Sequence, residues 1–268
     1  MRQTRLLNIM LLGMFFWLGG ASAATFDHGY RDYNDLLQAH VQWTDQDHAS
    51  AVDYTKLKKN EASLDPVLSS LSKVEVGDFS NWSMAQQMAF LINAYNAFTL
   101  KLILSEYPDL DSIKDLGSLL RSPWKKSFFT LLGKERNLDW IEHERLRPVY
   151  KDPRVHFAVN CASIGCPALR PEAFVAEQLN AQLDDQQKRF LSDRSRNHFD
   201  PQSGVLRVSP IFNWFSADFE IGTKKVKDWM SARASLLADD EKAQSLIRQG
   251  QFKIKFGEYD WKLNDVPG

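Results

Sequence analysis

Apolar positions along the chain recur mostly at helical spacing, with a few short alternating stretches between them. In residues 30–44, Tyr33, Leu36, Leu37, His40 and Val41 fall near a 3.6-residue period and predict a helix. Residues 54–73 read as two short helices interrupted near Pro66. The clearest helix starts at Ser83, with Gln86 in the capping-box position, and runs to about Tyr107. Its apolar residues cover nearly the whole circumference, which predicts a central helix. Asn93 and Asn96 interrupt that pattern and, three apart, share a face. Residues 128–138 suggest a hairpin around Gly133-Lys134. Asp139 then reads as an N-cap, with Glu142 as its capping-box partner, for a helix that stops at Pro148. Residues 155–160 read as a short buried strand leading into a tight segment at 161–167, and residues 171–191 as a long amphipathic helix. Strands at 205–208 and 252–256 flank helical pieces that stop at Gly250. These elements predict a helix-rich α+β fold with a small, mainly antiparallel sheet, in one globular domain over residues 24–268.

Composition narrows the class. The 268 residues are 44% hydrophobic and 25% charged, as in ordinary globular proteins. With 33 basic against 34 acidic residues the chain offers no basic field for nucleic acid. Residues 1–23 carry Arg2 and Arg5, an apolar run and the small-residue ending Ala21-Ser22-Ala23. That is the pattern of a cleaved signal peptide and predicts a periplasmic protein with no membrane span after cleavage. Both cysteines would then sit where a disulfide persists.

The densest collection of reactive side chains lies between Pro153 and Leu169. A thiolate at Cys161, close to a helix start, would have a lowered pKa, and an imidazole from His143 or His156 would accept its proton. On an extended strand His156 and Cys161 diverge, which makes His143 the better partner. Cys161 and Cys166, five apart, either remain two thiols or close a disulfide, and a closed pair is no resting nucleophile. Asn93 and Asn96 either satisfy loop backbone or serve the site, Asn93 by orienting the catalytic group and Asn96 by binding ligand. Asn160, Arg154 and Ser163 complete the predicted ligand-binding set. The histidine spacing gives no metal-binding pair, and no cofactor motif is read.

Three blocks of sequence resemble the domain-of-unknown-function family five hundred and forty-seven, which occurs in bacteria and in longer plant proteins. They are the nine residues Ala-Phe-Leu-Ile-Asn-Ala-Tyr-Asn-Ala at 89–97, the stretch from Ile141-Glu142-His143 through His156 and Cys161 to Leu169, and the ending at 259–264. The resemblance implies no settled activity. It implies that His143, His156, Asn93 and Asn96 best fit the family pattern, and that plant members often carry Ser at the position of Cys166.

Two functions follow. One is a cysteine- or histidine-centred hydrolase or acyl transferase acting on an envelope peptide or amide. The other is a non-catalytic periplasmic module that binds a small polar ligand or peptide, with Cys161–Cys166 as a staple. Neither reading specifies a protein partner.

Overall fold

The computed structural model describes residues 26–118, 121–220 and 225–267, so the predicted signal peptide at 1–23 lies outside the described residues. The first part of the chain is mainly helical: α1 (Arg31–His40), a hairpin of β1 (Val41–Thr44) and β2 (Ala49–Val52), then α2 (Tyr54–Lys59), α3 (Asp65–Ser72), α4 (Val76–Asn81) and the long α5 (Met84–Leu104). Ser83 and Gln86 close the predicted capping box at the start of α5. Nearly every side chain from Met88 onward is buried, so α5 forms the axis of a first hydrophobic cluster.

A hairpin of β3 (Phe129–Leu131) and β4 (Lys134–Arg136) turns through Leu132 and Gly133, both at positive φ. A π-helix, Trp140–Tyr150, and a 3-10 helix, Pro153–Phe157, follow. The remainder comprises α6 (Leu179–Ser192), β5 (His198–Asp200), β6 (Val205–Val208), α7 (Ile211–Trp214), α8 (Ser216–Phe219), α9 (Val226–Ser231), α10 (Ala234–Leu237), α11 (Glu241–Arg248) and β7 (Lys253–Phe256). These elements surround a second cluster rich in aromatic side chains, among them Phe157, Phe190, Phe212, Phe219 and Trp229.

The fold is therefore helix-rich α+β. Among the described residues its strands form two two-stranded sheets and one three-stranded sheet, in which β5–β6 is antiparallel and β6–β7 parallel. Several sequence expectations change, among them that the helix expected to stop at Pro148 runs on to Tyr150. The helix read over 30–44 ends at His40, and its last four residues become β1. The strand read at 155–160 is the 3-10 helix, because Pro153 presets a helical start and the Asp152 carboxylate caps the Arg154 N–H at 2.9 Å. The helix read from 171 begins only at Leu179. The N–H groups of Ala173, Phe174 and Val175 bond to the side chains of Asn34, Asn93 and Gln182 instead of to a helical ladder.

The 3-10 helix lies on the seam between the two clusters. Val155 and Val159 pack into the first and Phe157 into the second. His156 is carried between them.

Candidate functional site

A cavity of about 250 Å³ opens along this seam. Trp124, Trp214, Phe215, Tyr259 and Trp261 wall it with aromatic surface, while Glu142, His143, His156 and the Cys161–Cys166 pair supply its chemistry. The π-helix delivers Glu142 and His143. Such helices are rare, and they occur frequently at functional sites.

Glu142 is buried, and burial pushes its carboxyl up to about 7 against the opposing pull of Arg147 and a hydrogen bond from Tyr95. Its Oε1 faces His156 Nδ1 across 3.9 Å. His156 is itself buried and stacks on Phe215 at 4.1 Å. Its Nε2 lies 2.7 Å from Asp218 Oδ2. Burial lowers the His156 pKa and favours the neutral ring, although Asp218 opposes that effect. A carboxylate only accepts, so Nε2 carries the proton and Nδ1 presents its lone pair to Glu142.

Asp218 is held well below the usual carboxylate range. Burial raises it, but hydrogen bonds from His156 and from Arg147 Nε prevail. Arg147 also donates to His143 Nδ1 at 2.8 Å. Guanidinium only donates, so His143 Nδ1 accepts and its Nε2 faces Asp139, 3.6 Å away. Burial lowers the His143 pKa as well.

The opposite wall is the loop after Asn160. Asn160 Oδ1 accepts the N–H of Ala162, whose φ is 60°, and its Nδ2 donates to the Pro167 carbonyl, so one side chain ties both ends of the loop. Cys161 and Cys166 form a disulfide with Cα atoms 6.2 Å apart. The loop then pairs with the C-terminal segment. Ile164 N–H donates to the Lys262 carbonyl and Gly165 N–H to that of Asp260, each at 2.8 Å. The Tyr259 hydroxyl lies 3.1 Å from both sulfurs. Gly165 allows this approach, since a Cβ there would stand 2.9 Å from the Tyr259 ring.

The structure thus brings His143, His156, Cys161 and Cys166 to one cavity. The other predicted residues do not line it. Asn93 exchanges two hydrogen bonds with the backbone of Phe174, and Asn96 bonds to the Ala158 carbonyl and the Asn160 N–H. Arg154 pairs with Asp152 and Asp184, and Ser163 Oγ donates to the Cys161 carbonyl at 3.4 Å. Among the described residues, no group of three or more His, Cys, Asp or Glu side chains is spaced to hold a metal ion.

Glu142, Tyr95, Arg147, Asp218 and the aromatic walls join the site beyond the residues predicted for it. The capping-box role expected of Glu142 falls to Asn137, whose Oδ1 accepts the Trp140 N–H. An acidic residue between Ile141 and Leu146 on a helix with buried neighbours was the signal available for it.

One family matches the chain, over residues 79–191, under the description "Protein of unknown function, DUF547". The matched range contains Tyr95, Glu142, His143, His156 and both cysteines, whereas Asp218 and Tyr259 lie beyond it. Comparison with curated proteins and with solved structures gives no match.

Proposed function

We propose, for a chain that matches DUF547 over residues 79–191, that it is an exported, periplasmic hydrolase or acyl transferase acting on an envelope peptide or amide. Export rests on the pattern of residues 1–23 and accords with the disulfide. One observation carries the catalytic reading. A carboxyl that titrates near 7 faces the lone pair of a neutral, carboxylate-oriented imidazole inside an aromatic cavity. Acid–base groups work best when their pKa lies near the working pH.

In this reading Asp218 holds His156 in one tautomer. His156 Nδ1 takes the proton of the attacking water or hydroxyl, and protonated Glu142 gives its proton to the departing amine or alkoxide. With Cys161 held in the disulfide, it is not the nucleophile of the resting protein. Glu142 Oε1 and His156 Nδ1, 3.9 Å apart, are close enough for one reacting group seated beside the pair to reach both.

The second reading, a binding module, draws support from the same disulfide and from the aromatic walls. The two are separated with p-nitrophenyl esters and dipeptide p-nitroanilides. For an enzyme, hydrolysis exceeds the buffer rate, changes with a midpoint near pH 7, and falls about 100-fold in both Glu142→Gln and His156→Ala. Rates equal to buffer for both substrate classes, in wild type and variants alike, would leave the binding module.

A further inference from the structure

We propose that the Cys161–Cys166 disulfide is a thiol–disulfide exchange site with fixed polarity, in which a small aliphatic thiol attacks Cys161 Sγ and Cys166 Sγ departs. Unlike the acid–base reading, this activity uses neither Glu142 nor His156.

The polarity comes from unequal surroundings. Both cysteines line the cavity, but Cys161 is part-exposed whereas Cys166 is 3% exposed, so an entering thiol meets Cys161 first. The Cys161 backbone N–H donates to Cys166 Sγ alone, at 2.9 Å, and this bond sets the direction, while the Tyr259 hydroxyl, 3.1 Å away, assists the departing sulfur. Hydrogen bonds to a charged sulfur stabilise the thiolate, and a better-stabilised thiolate leaves faster. Burial holds the Tyr259 phenol above its usual pKa, so it keeps its proton for donation. The same hydroxyl also touches Cys161 Sγ and so spans both ends of the bond that breaks.

The entering thiol first loses its proton to solvent. Its sulfur bonds to Cys161 Sγ while the electron pair of the Cys161–Cys166 bond passes to Cys166 Sγ. A second thiolate then attacks the entering sulfur of the mixed disulfide and releases Cys161 as thiolate. Two thiols are oxidised to one disulfide, the protein disulfide is reduced, and both cysteines regain protons from solvent.

Reduced glutathione serves as the probe on the folded, signal-free chain, with iodoacetamide trapping and peptide mass spectrometry. The expected product carries glutathione on Cys161 and alkylation on Cys166. In Tyr259→Phe the rate should fall about tenfold, the worth of one hydrogen bond to a charged sulfur, while the disulfide of the unfolded variant reacts like that of the wild type. Glutathione on Cys166 overturns the polarity. No adduct on the folded wild type, while the unfolded chain reacts, reduces the pair to a staple. The wild-type result stands even if Tyr259→Phe fails to fold. Ester and anilide assays on the same preparation report separately on the acid–base reading.

Discussion

Glu142 is the side chain whose charge state the fold alters most usefully. Its carboxyl ionises near 4.5 in the unfolded chain and near 7 in the folded one. Between those values the folded state binds more protons, so this residue makes stability fall as pH rises. Once ionised in both states, it costs about 3 kcal/mol. Buried His156 works in the opposite sense, since its folded pKa lies below 6.5 and its contribution to stability rises as pH increases toward that value. The difference between wild type and Glu142→Gln isolates the carboxyl. Urea unfolding at pH 5 and pH 8 should show Glu142→Gln gaining relative to wild type at the higher pH, and a constant difference would contradict the buried acid. Asn93 is a residue of another kind. Both ends of its amide satisfy the Phe174 backbone, so Asn93→Leu should cost about 2–4 kcal/mol by stranding a buried donor and acceptor. The urea midpoint reports that loss, while the proposed hydrolysis, per folded molecule, stays at the wild-type level. The sequence already posed this alternative, because two amides on an otherwise apolar helix demand partners. It did not give the partners, which lie 81 and 64 residues away along the chain.

At the scale of elements, legibility followed the range of the interactions. The capping box at Ser83, the hairpin around Gly133 and the strand at Val205–Val208 are set by neighbours in sequence and were readable from them. The segment before α6 was not, because distant side chains take its backbone donors. Nor was the π-helix, which continues through Pro148 to Tyr150 although a proline normally ends the pattern. The pairing of the 161–166 loop with the C-terminal segment is equally non-local, although both stretches stood out separately in the sequence. Gly165 is its pressure point. In Gly165→Ala the new methyl would meet the Tyr259 ring at 2.9 Å and the Asp260 carbonyl at 3.0 Å, so the two segments must part. A loss of about 1–3 kcal/mol is expected from such overpacking. Exchange of the Gly165 amide proton, bonded to Asp260 in the wild type, should accelerate along with it. Protection unchanged from wild type would show that the pairing tolerates the methyl.

Across the whole molecule, the cavity exists because two hydrophobic clusters meet and the chain between them carries polar groups on the line of contact. Asp218 belongs to α8, whose Phe219 is buried in the second cluster, yet its carboxylate binds Arg147 and His156, which flank the first. No local pattern in the sequence could join residues 62 and 71 positions apart, and this explains why Asp218 escaped notice while His156 did not. The ion pair also fixes the chemistry of the site, since a carboxylate forces the proton onto His156 Nε2. In Asp218→Asn the amide is able to donate as well as accept, and that constraint disappears. Nitrogen NMR of the ring at pH 7 should show the wild type with Nε2 protonated and Nδ1 bare, and the variant as a mixture of tautomers. Because Asp218 also raises the His156 pKa, the variant's imidazole should titrate at a lower pH than the wild-type ring. Stability should respond with its own sign. A carboxylate held below its unfolded value stabilises the fold above pH 4, and that contribution fades as pH falls toward the folded value. The part-exposed pair should be worth about 1–2 kcal/mol at pH 7, and wild type and Asp218→Asn should converge in acid. A variant that keeps the single Nε2–H tautomer would mean that the packing of His156 against Phe215, rather than the charge reaching across from α8, orients the ring.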